Sequence, residues 1–447
     1  VTDPELSSPH GRLAHIMATR AGHAADQEAP MAIEHREALI YTLGKAAELE
    51  HLVMCQYLYA AFSLKETTAE GVPEELLPTV VGWRRELFHI GEQEMLHLAL
   101  VQNLLAAVGA APRLARPNWP LPPHAMPARV QMALLPFGET ALRHFAFLER
   151  PEGMDMADPE GFTALEKARE LPHDEADEIG PHLQDFETVG HLYRSIEEGM
   201  TRLAERMGES GLFIGPRRAQ ATAAHIEFDE LLPVTDLASA RAAIEVIVEQ
   251  GEGARGDWRE AHFGRLVRML DEYLRLRAEQ PDFEPARPVV LAHVRPLASG
   301  AEVTLIGHGF TARCSDLLNA VNELVLQLLS RYFANTDETP EQRAALAEVA
   351  VALMKAVVKP LGSLITRMPV GPEHPERTAG PALELFYDVD YLLPHREAAW
   401  AVMEERLREV AELATRCRDE CIPTFLPPLS RITDALRAQA DVLAAAR

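Results

Sequence analysis

Glu94 and His97 lie three residues apart in Gly91-Glu92-Gln93-Glu94-Met95-Leu96-His97-Leu98. On a helix, positions three apart sit one above the other, so both side chains can reach toward one point. Trp83, Leu87, Ile90, Glu94, His97, Val101, Leu105 and Val108 recur at helical spacing, which places the pair on an apolar stripe. A carboxylate and an imidazole turned toward a core need a partner, because an unpaired buried charge is costly. A metal ion is such a partner, and Glu-x-x-His on a bundle helix is half of a carboxylate-bridged di-metal site.

Other stripes carry matching interruptions. Glu50 falls within Leu43, Ala47, Val53, Tyr57, Ala61 and Leu64, and Glu197 within Phe186, Val189, Tyr193, Met200, Ala204 and Met207. A four-helix di-metal site takes one Glu from each of two helices and Glu-x-x-His from the other two. Glu50 and Glu197 are the expected lone carboxylates, and Glu94 with His97 one of the pairs. The second pair is irregular: Glu249 and Glu252 are three apart without a His, and His262 follows beyond Gly251 and Gly253. His262 supplies the missing imidazole if the glycine-flanked insert loops out. This donor set suits iron or manganese. Tyr57, Tyr193 and His51 are expected beside the ligands. With 68 acidic residues, any one Glu reaches a stripe by chance; one interruption in each successive helix is the stronger signal.

The elements that must position these groups are helices over about 34–64, 74–108, 182–207 and 236–277, the last capped by Asp236 and broken near Gly251. A short helix is expected over 137–149. The proline-rich 116–123 reads as an ordered crossover, the acidic 151–181 as a loop or lid, and 369–381 as a loop bordering the site. From about Pro281 a small hairpin across Ser299-Gly300 and three further helices are expected. The chain thus divides into a metal-binding bundle over 33–280 and a C-terminal helical part over 281–447 packed on it.

Composition narrows the function classes. A formal net charge of -25 argues against nucleic acid and anionic membranes as partners. No apolar run reaches transmembrane length, and Val1 to Pro30 has no apolar signal-peptide region. Four cysteines are too few for a disulfide framework in 447 residues, so the cytoplasm is the expected compartment. Glycine-rich phosphate loops and a Gly-x-Ser-x-Gly elbow are absent.

Glu50-His51-Leu52-Val53-Met54-Cys55-Gln56-Tyr57 and Glu94-Met95-Leu96-His97-Leu98-Ala99-Leu100-Val101 resemble the ferritin-like part of the iminophenylpyruvate dimer synthases of violacein and rebeccamycin biosynthesis. Phe147-Leu148-Glu149-Arg150-Pro151-Glu152, Glu249-Gln250-Gly251-Glu252-Gly253 and His262-Phe263 continue the likeness, which extends from about residue 35 to 415. The resemblance implies a ferritin-like fold, so the expected class is mainly α: a ferritin-like four-helix bundle with the additional helices and small β-hairpin read above. It also implies a metal-dependent oxidative role in natural-product biosynthesis. The expected activity is that of a non-haem di-iron oxidase or oxygenase, with manganese as the alternative metal. Its substrates would be dioxygen and a small, amino-acid-derived molecule. Oxidative dimerisation of imino acids is one alternative, and metal storage or a structural bundle without catalysis another. A homo-oligomer is left open.

Overall fold

The computed structural model describes residues 29–122, 125–127, 130–154, 156–159, 162, 184–253, 258–335, 337–387 and 393–447. Most of the expected lid over 151–181 lies outside the described residues. The first two helices are α1 (Arg36–Ser63) and α2 (Leu77–Ala107), which pack along their length. Both stop within a few residues of the boundaries read from the stripes, because the same apolar positions that mark periodicity are the ones buried between them.

The other half of the bundle is made of two interrupted helices. α3 (Glu139–Leu148) and α4 (Val189–Met207) lie end to end along α1. Phe137 N donates to Ser63 Oγ, Phe145 packs edge-on to Tyr57, and Tyr193 reaches Glu50, so the contacts step along α1 in reverse order. α5 (Leu237–Gly251) and α6 (His262–Glu279) run along α2 in the same way. Gln250 meets His97, His262 meets Gln93, and Tyr273 meets Trp83. Both interruptions fall at the level of Glu50 and Glu94. At the second, Gly253 takes a left-handed conformation (φ 92°) that favours glycine. Asp236 caps α5 as expected, its carboxylate accepting from Ser239 N at 2.8 Å.

The C-terminal part holds α7 (Gly309–Ala334), α8 (Pro340–Leu353), α9 (Lys359–Ile365), α10 (Arg396–Glu420) and α11 (Leu426–Ala446). A π-helical turn, Met354–Val358, joins α8 to α9. α11 lies beyond the helices that periodicity led us to expect. The small sheet is present, but not as a hairpin. β1 (Val289–His293) is central and pairs in parallel with β2 (Thr304–Leu305) and with β3 (Thr378–Pro381). The Gly300 turn therefore returns the chain to re-enter beside β1 in the same direction, and the far edge of β1 takes a strand from the loop expected at 369–381. The proline-rich crossover is ordered as expected: Asn118 exchanges two hydrogen bonds with the backbone of Leu385, and Arg116 donates to Leu383 O at 2.6 Å. All four cysteines are free. Among the described residues, no helix is long and apolar enough to cross a membrane.

Arg287 is one of the buried cations that tie the bundle helices to the later elements. The end of α1 leaves carbonyls without helical partners, and Arg287, just before β1, donates to Phe62 O at 2.9 Å and Leu64 O at 2.6 Å. It also pairs with Glu70 at 2.6 Å and reaches Thr366 Oγ1 at 3.2 Å. Arg287→Met keeps much of the volume but leaves those carbonyls and the carboxylate unpaired. We expect a loss of about 3 kcal/mol in urea denaturation; a loss below about 1 kcal/mol would contradict this role.

Candidate metal centre

At the level of the two interruptions, three carboxylates and two imidazoles converge. Glu50 comes from α1, Glu94 and His97 from α2, Glu149 from the residue that caps α3, and His262 from the first residue of α6. All five are buried, the most exposed at 4%. They form two donor triads, Glu50–Glu94–His97 and Glu94–Glu149–His262, with ligand atoms inside each triad within 4.8 Å of one another. Glu94 belongs to both. Its Oε2 lies 3.1 Å from His97 Nδ1 and its Oε1 2.9 Å from His262 Nδ1. His97 Nδ1 is also 3.6 Å from Glu50 Oε2, and His262 Nδ1 is 3.5 Å from Glu149 Oε1.

The outer nitrogens of both rings are spoken for. His97 Nε2 lies 3.1 Å from Gln250 Oε1, and His262 Nε2 lies 3.3 Å from Gln93 Oε1. Arg265, a donor only, bonds the same Gln93 oxygen at 2.6 Å, which fixes the amide with its oxygen toward His262. His262 Nε2 therefore carries the proton, and the Nδ1 of each ring points at carboxylate oxygens. An imidazole with oxygens at both nitrogens must either hold a second proton or offer its Nδ1 lone pair to a cation. His262 Nδ1 is buried and makes no well-aligned hydrogen bond despite its short distance to Glu94. At His97 the Nδ1 contact with Glu94 is an aligned hydrogen bond, whereas at His262 the close approach without alignment leaves Nδ1 for another partner, and the donor set fits a pair of oxygen- and nitrogen-seeking metals.

The electrostatics agree. Burial lowers the pKa of His97, but Glu94 and Glu50 outweigh it and push it up to about 10. His262 is raised in the same way by Glu94 and Glu149 against burial. Burial holds the Glu50 carboxyl above its usual range, whereas for Glu94 burial is overcome by the two imidazoles, which hold it well below. Tyr193 donates a short hydrogen bond to Glu50 and Tyr57 one to Glu149. Burial and the nearby carboxylates raise both phenols well above their ordinary value, so they stay protonated donors.

Of the residues expected at the site, the structure brings Glu50, Glu94, His97 and His262 together and keeps three away. Glu197 has 41% of its side chain exposed and pairs with Arg241 at 3.2 Å; the inward position facing Glu50 is Tyr193, one turn earlier. Glu249 is exposed on α5. Glu252 is buried, but its carboxylate accepts from Gly190 N at 2.7 Å and Glu152 N at 3.2 Å. It serves the start of α4, where free N–H groups and the helix dipole favour an anion. A Cβ at Gly190 would sit 2.1 Å from Glu252 Oε1, so only glycine admits this contact. His51 turns aside, with Nδ1 2.8 Å from Leu114 O.

Glu149 was not among the expected ligands. It ends a short helix, where an acidic residue reads as a solvated terminus. Its signal was its place four residues after Phe145, on the apolar face of α3. Gln93 and Gln250 carried no signal, since amides on such helices are commonplace.

These shifts set a pH dependence for the metal-free chain. His97 binds its proton more tightly folded than unfolded, so its contribution is complete below about pH 6.5 and lost as pH rises toward 10. Glu50 and His262, both raised, act in the same sense; Glu94, depressed, contributes above the ordinary carboxylate range and loses its contribution only in acid. The thermal midpoint of chelator-treated protein should therefore fall between pH 6.5 and 9.5, and excess ferrous or manganous ion under argon should remove the fall. A midpoint that rises over this interval without metal contradicts the electrostatic account.

Comparison with known proteins identifies the family. The family model described as Ferritin-like matches residues 43–271, which contain all five converging side chains. The chain is 28% identical to the dichlorochromopyrrolate synthase of Lentzea aerocolonigenes over 418 residues, 86% of this chain and 39% of that protein. It is 30% identical to the 2-imino-3-(indol-3-yl)propanoate dimerase of Chromobacterium violaceum over 444 residues, 92% of this chain and 40% of that protein. The chain thus spans about two fifths of the length of these relatives. Among solved structures, a ferritin-like protein from Caulobacter vibrioides aligns with TM-score 0.45 and 21% identity over 72% of this chain and 95% of its own. With just over half of its 447 residues matched by the family model, the chain belongs to the ferritin-like family.

Proposed function

We propose that this chain holds a dinuclear non-haem iron centre and acts as an oxidase or oxygenase on a small, amino-acid-derived molecule. The observation that carries this reading is the pair of buried triads sharing Glu94. Glu50 and His97 would hold one ion, Glu149 and His262 the other, and Glu94 would bridge them. Manganese suits the same donors. When bound, such a metal pair supplies the binding and reduction of dioxygen.

The protein's own groups do the rest. Gln93, held by Arg265, keeps the proton of His262 on Nε2 and leaves its Nδ1 free to ligate, and Gln250, from α5, meets Nε2 of His97. Tyr193 orients Glu50 by donating to Oε1 while Oε2 faces His97, and Tyr57 orients Glu149 by donating to Oε1, the oxygen that also faces His262. Burial of all five groups keeps bulk water from competing for the ligand positions.

A second reading follows from one relative. The dimerase's name carries 2-imino-3-(indol-3-yl)propanoate, so oxidative coupling of two imino acids is the first reaction to test for this chain. A storage role would use the same triads without an organic substrate.

Ferrous ion added anaerobically should bind at about two per chain. Glu94→Ala should abolish both, whereas Glu149→Ala should retain about one, measured by metal analysis after desalting. Oxygen uptake should accelerate at least tenfold when the indolyl imino acid is present. Iron uptake with no such acceleration by any imino acid favours storage, and no iron in the unaltered chain overturns the proposal.

A further inference from the structure

A second cavity, of about 240 Å³, lies between α1, α2 and the C-terminal helices α7 and α8. On α2 it is lined by Phe88, Glu92, Met95 and Ala99. These follow helical spacing on the face turned away from Glu94 and His97. On α1, Met54, Leu58 and Phe62 continue the i+4 row that begins at Glu50, and none of the five converging residues is among those lining the cavity. The cavity is therefore distinct from the metal centre, with the two helices forming the wall between them. It reaches along α1 from His51 to Phe62, about 16 Å at 1.5 Å per residue.

Three features mark a built site rather than a packing fault. First, the lining is mostly apolar although the cavity opens past the exposed side chains of Glu92, Glu227, Lys355 and Lys359, which leaves apolar surface for a guest to cover. Second, the backbone departs from regularity at the cavity wall. The π-helical turn Met354–Val358 precedes Pro360, which has no N–H to continue the α ladder, and Met354, Lys355, Val358 and Lys359 all line the space. Third, polar groups are left for a guest. Asn322, among the lining residues, has a buried Nδ2 without a hydrogen-bond partner. His51 donates from Nδ1 to Leu114 O at 2.8 Å, which leaves Nε2 as an acceptor on another lining residue.

The charged residues lining the cavity balance one another. Lys359 Nζ lies 3.5 Å from Glu92 and 4.1 Å from the centre of the Phe88 ring, and Lys355 lies 3.8 Å from Glu227. Two cations and two anions give no preference for a charged guest. A hydroxyl suits both free polar groups, because it donates to an imidazole nitrogen and accepts from an amide N–H.

We infer that this cavity between the bundle and the C-terminal helices is a second ligand site, for an uncharged lipophilic molecule bearing a hydroxyl, of the phenol or fatty-alcohol class. It goes beyond the metal chemistry proposed above and does not depend on it.

The test uses the full chain as purified and the neutral fluorophore N-phenyl-1-naphthylamine. Saturable binding at about one per chain is expected, abolished by Leu329→Trp, which fills the cavity from α7. Ala99→Phe, from α2, is the second blocking variant should the first fail to fold. Both should keep the iron stoichiometry of the unaltered chain, which separates loss of this site from loss of the metal centre. As competitors, 2-naphthol should displace the probe at up to about tenfold lower concentration than naphthalene, the worth of one hydrogen bond, and 2-naphthoate should gain nothing over naphthalene. Asn322→Leu should shrink the naphthol preference. No saturable binding, or binding unchanged by a folded blocking variant, overturns the site. Equal displacement by naphthol and naphthalene, or preference for naphthoate, overturns the ligand class.

Discussion

The structure depends on how three buried carboxylates and two buried imidazoles are made tolerable around Glu94. Isolated charges at this depth would be forced to neutralise: burial raises the Glu50 carboxyl accordingly, whereas the neighbouring carboxylates make His97 and His262 hold their protons against burial. Protons relieve it in part. Two divalent cations would relieve it fully, since each would meet an imidazole lone pair and carboxylate oxygens already aimed at it. Everything outside the five residues supports that aim: two phenols hold the terminal carboxylates, and two amides hold the outer faces of the rings.

The bundle accommodates this cluster by breaking. Two of its four rods are interrupted at the level of the site, and each break presents a candidate ligand at a helix end, Glu149 where α3 stops and His262 where α6 starts. A continuous helix could place a ligand only at its own spacing. A helix end frees the side chain from that constraint but exposes backbone N–H groups, and Glu252 answers this at the start of α4. A glutamate close to the centre in sequence and buried beside it thus stabilises the break rather than the metal.

Continuous periodicity made α1 and α2, and with them Glu50, Glu94 and His97, legible in the sequence. The pattern weakened where the helices are spliced. Reading 182–207 as one rod of its own put Glu197 on the inner face, whereas the rod is shared by α3 and α4 and its inward residues are Glu149 and Tyr193. The opposite break is marked in the sequence by Gly251 and Gly253, and His262 stands where the helical spacing resumes. The parallel β1–β2 pairing was hidden for a related reason: a glycine turn between two short apolar runs looks the same whether the chain folds straight back or loops around. Ten residues of local sequence hold no information on which edge of β1 the later strand will occupy.

The central claim concerns two ions and one bridging carboxylate, so locating the ions tests it most directly. Crystals grown or soaked anaerobically with ferrous ion, measured on either side of the iron absorption edge, would show them as anomalous peaks. The account predicts two peaks about 3.5–4 Å apart, one beside Glu50 and His97 and one beside Glu149 and His262, with Glu94 between. Peaks elsewhere, or none at this cluster in crystals that carry iron, would contradict it.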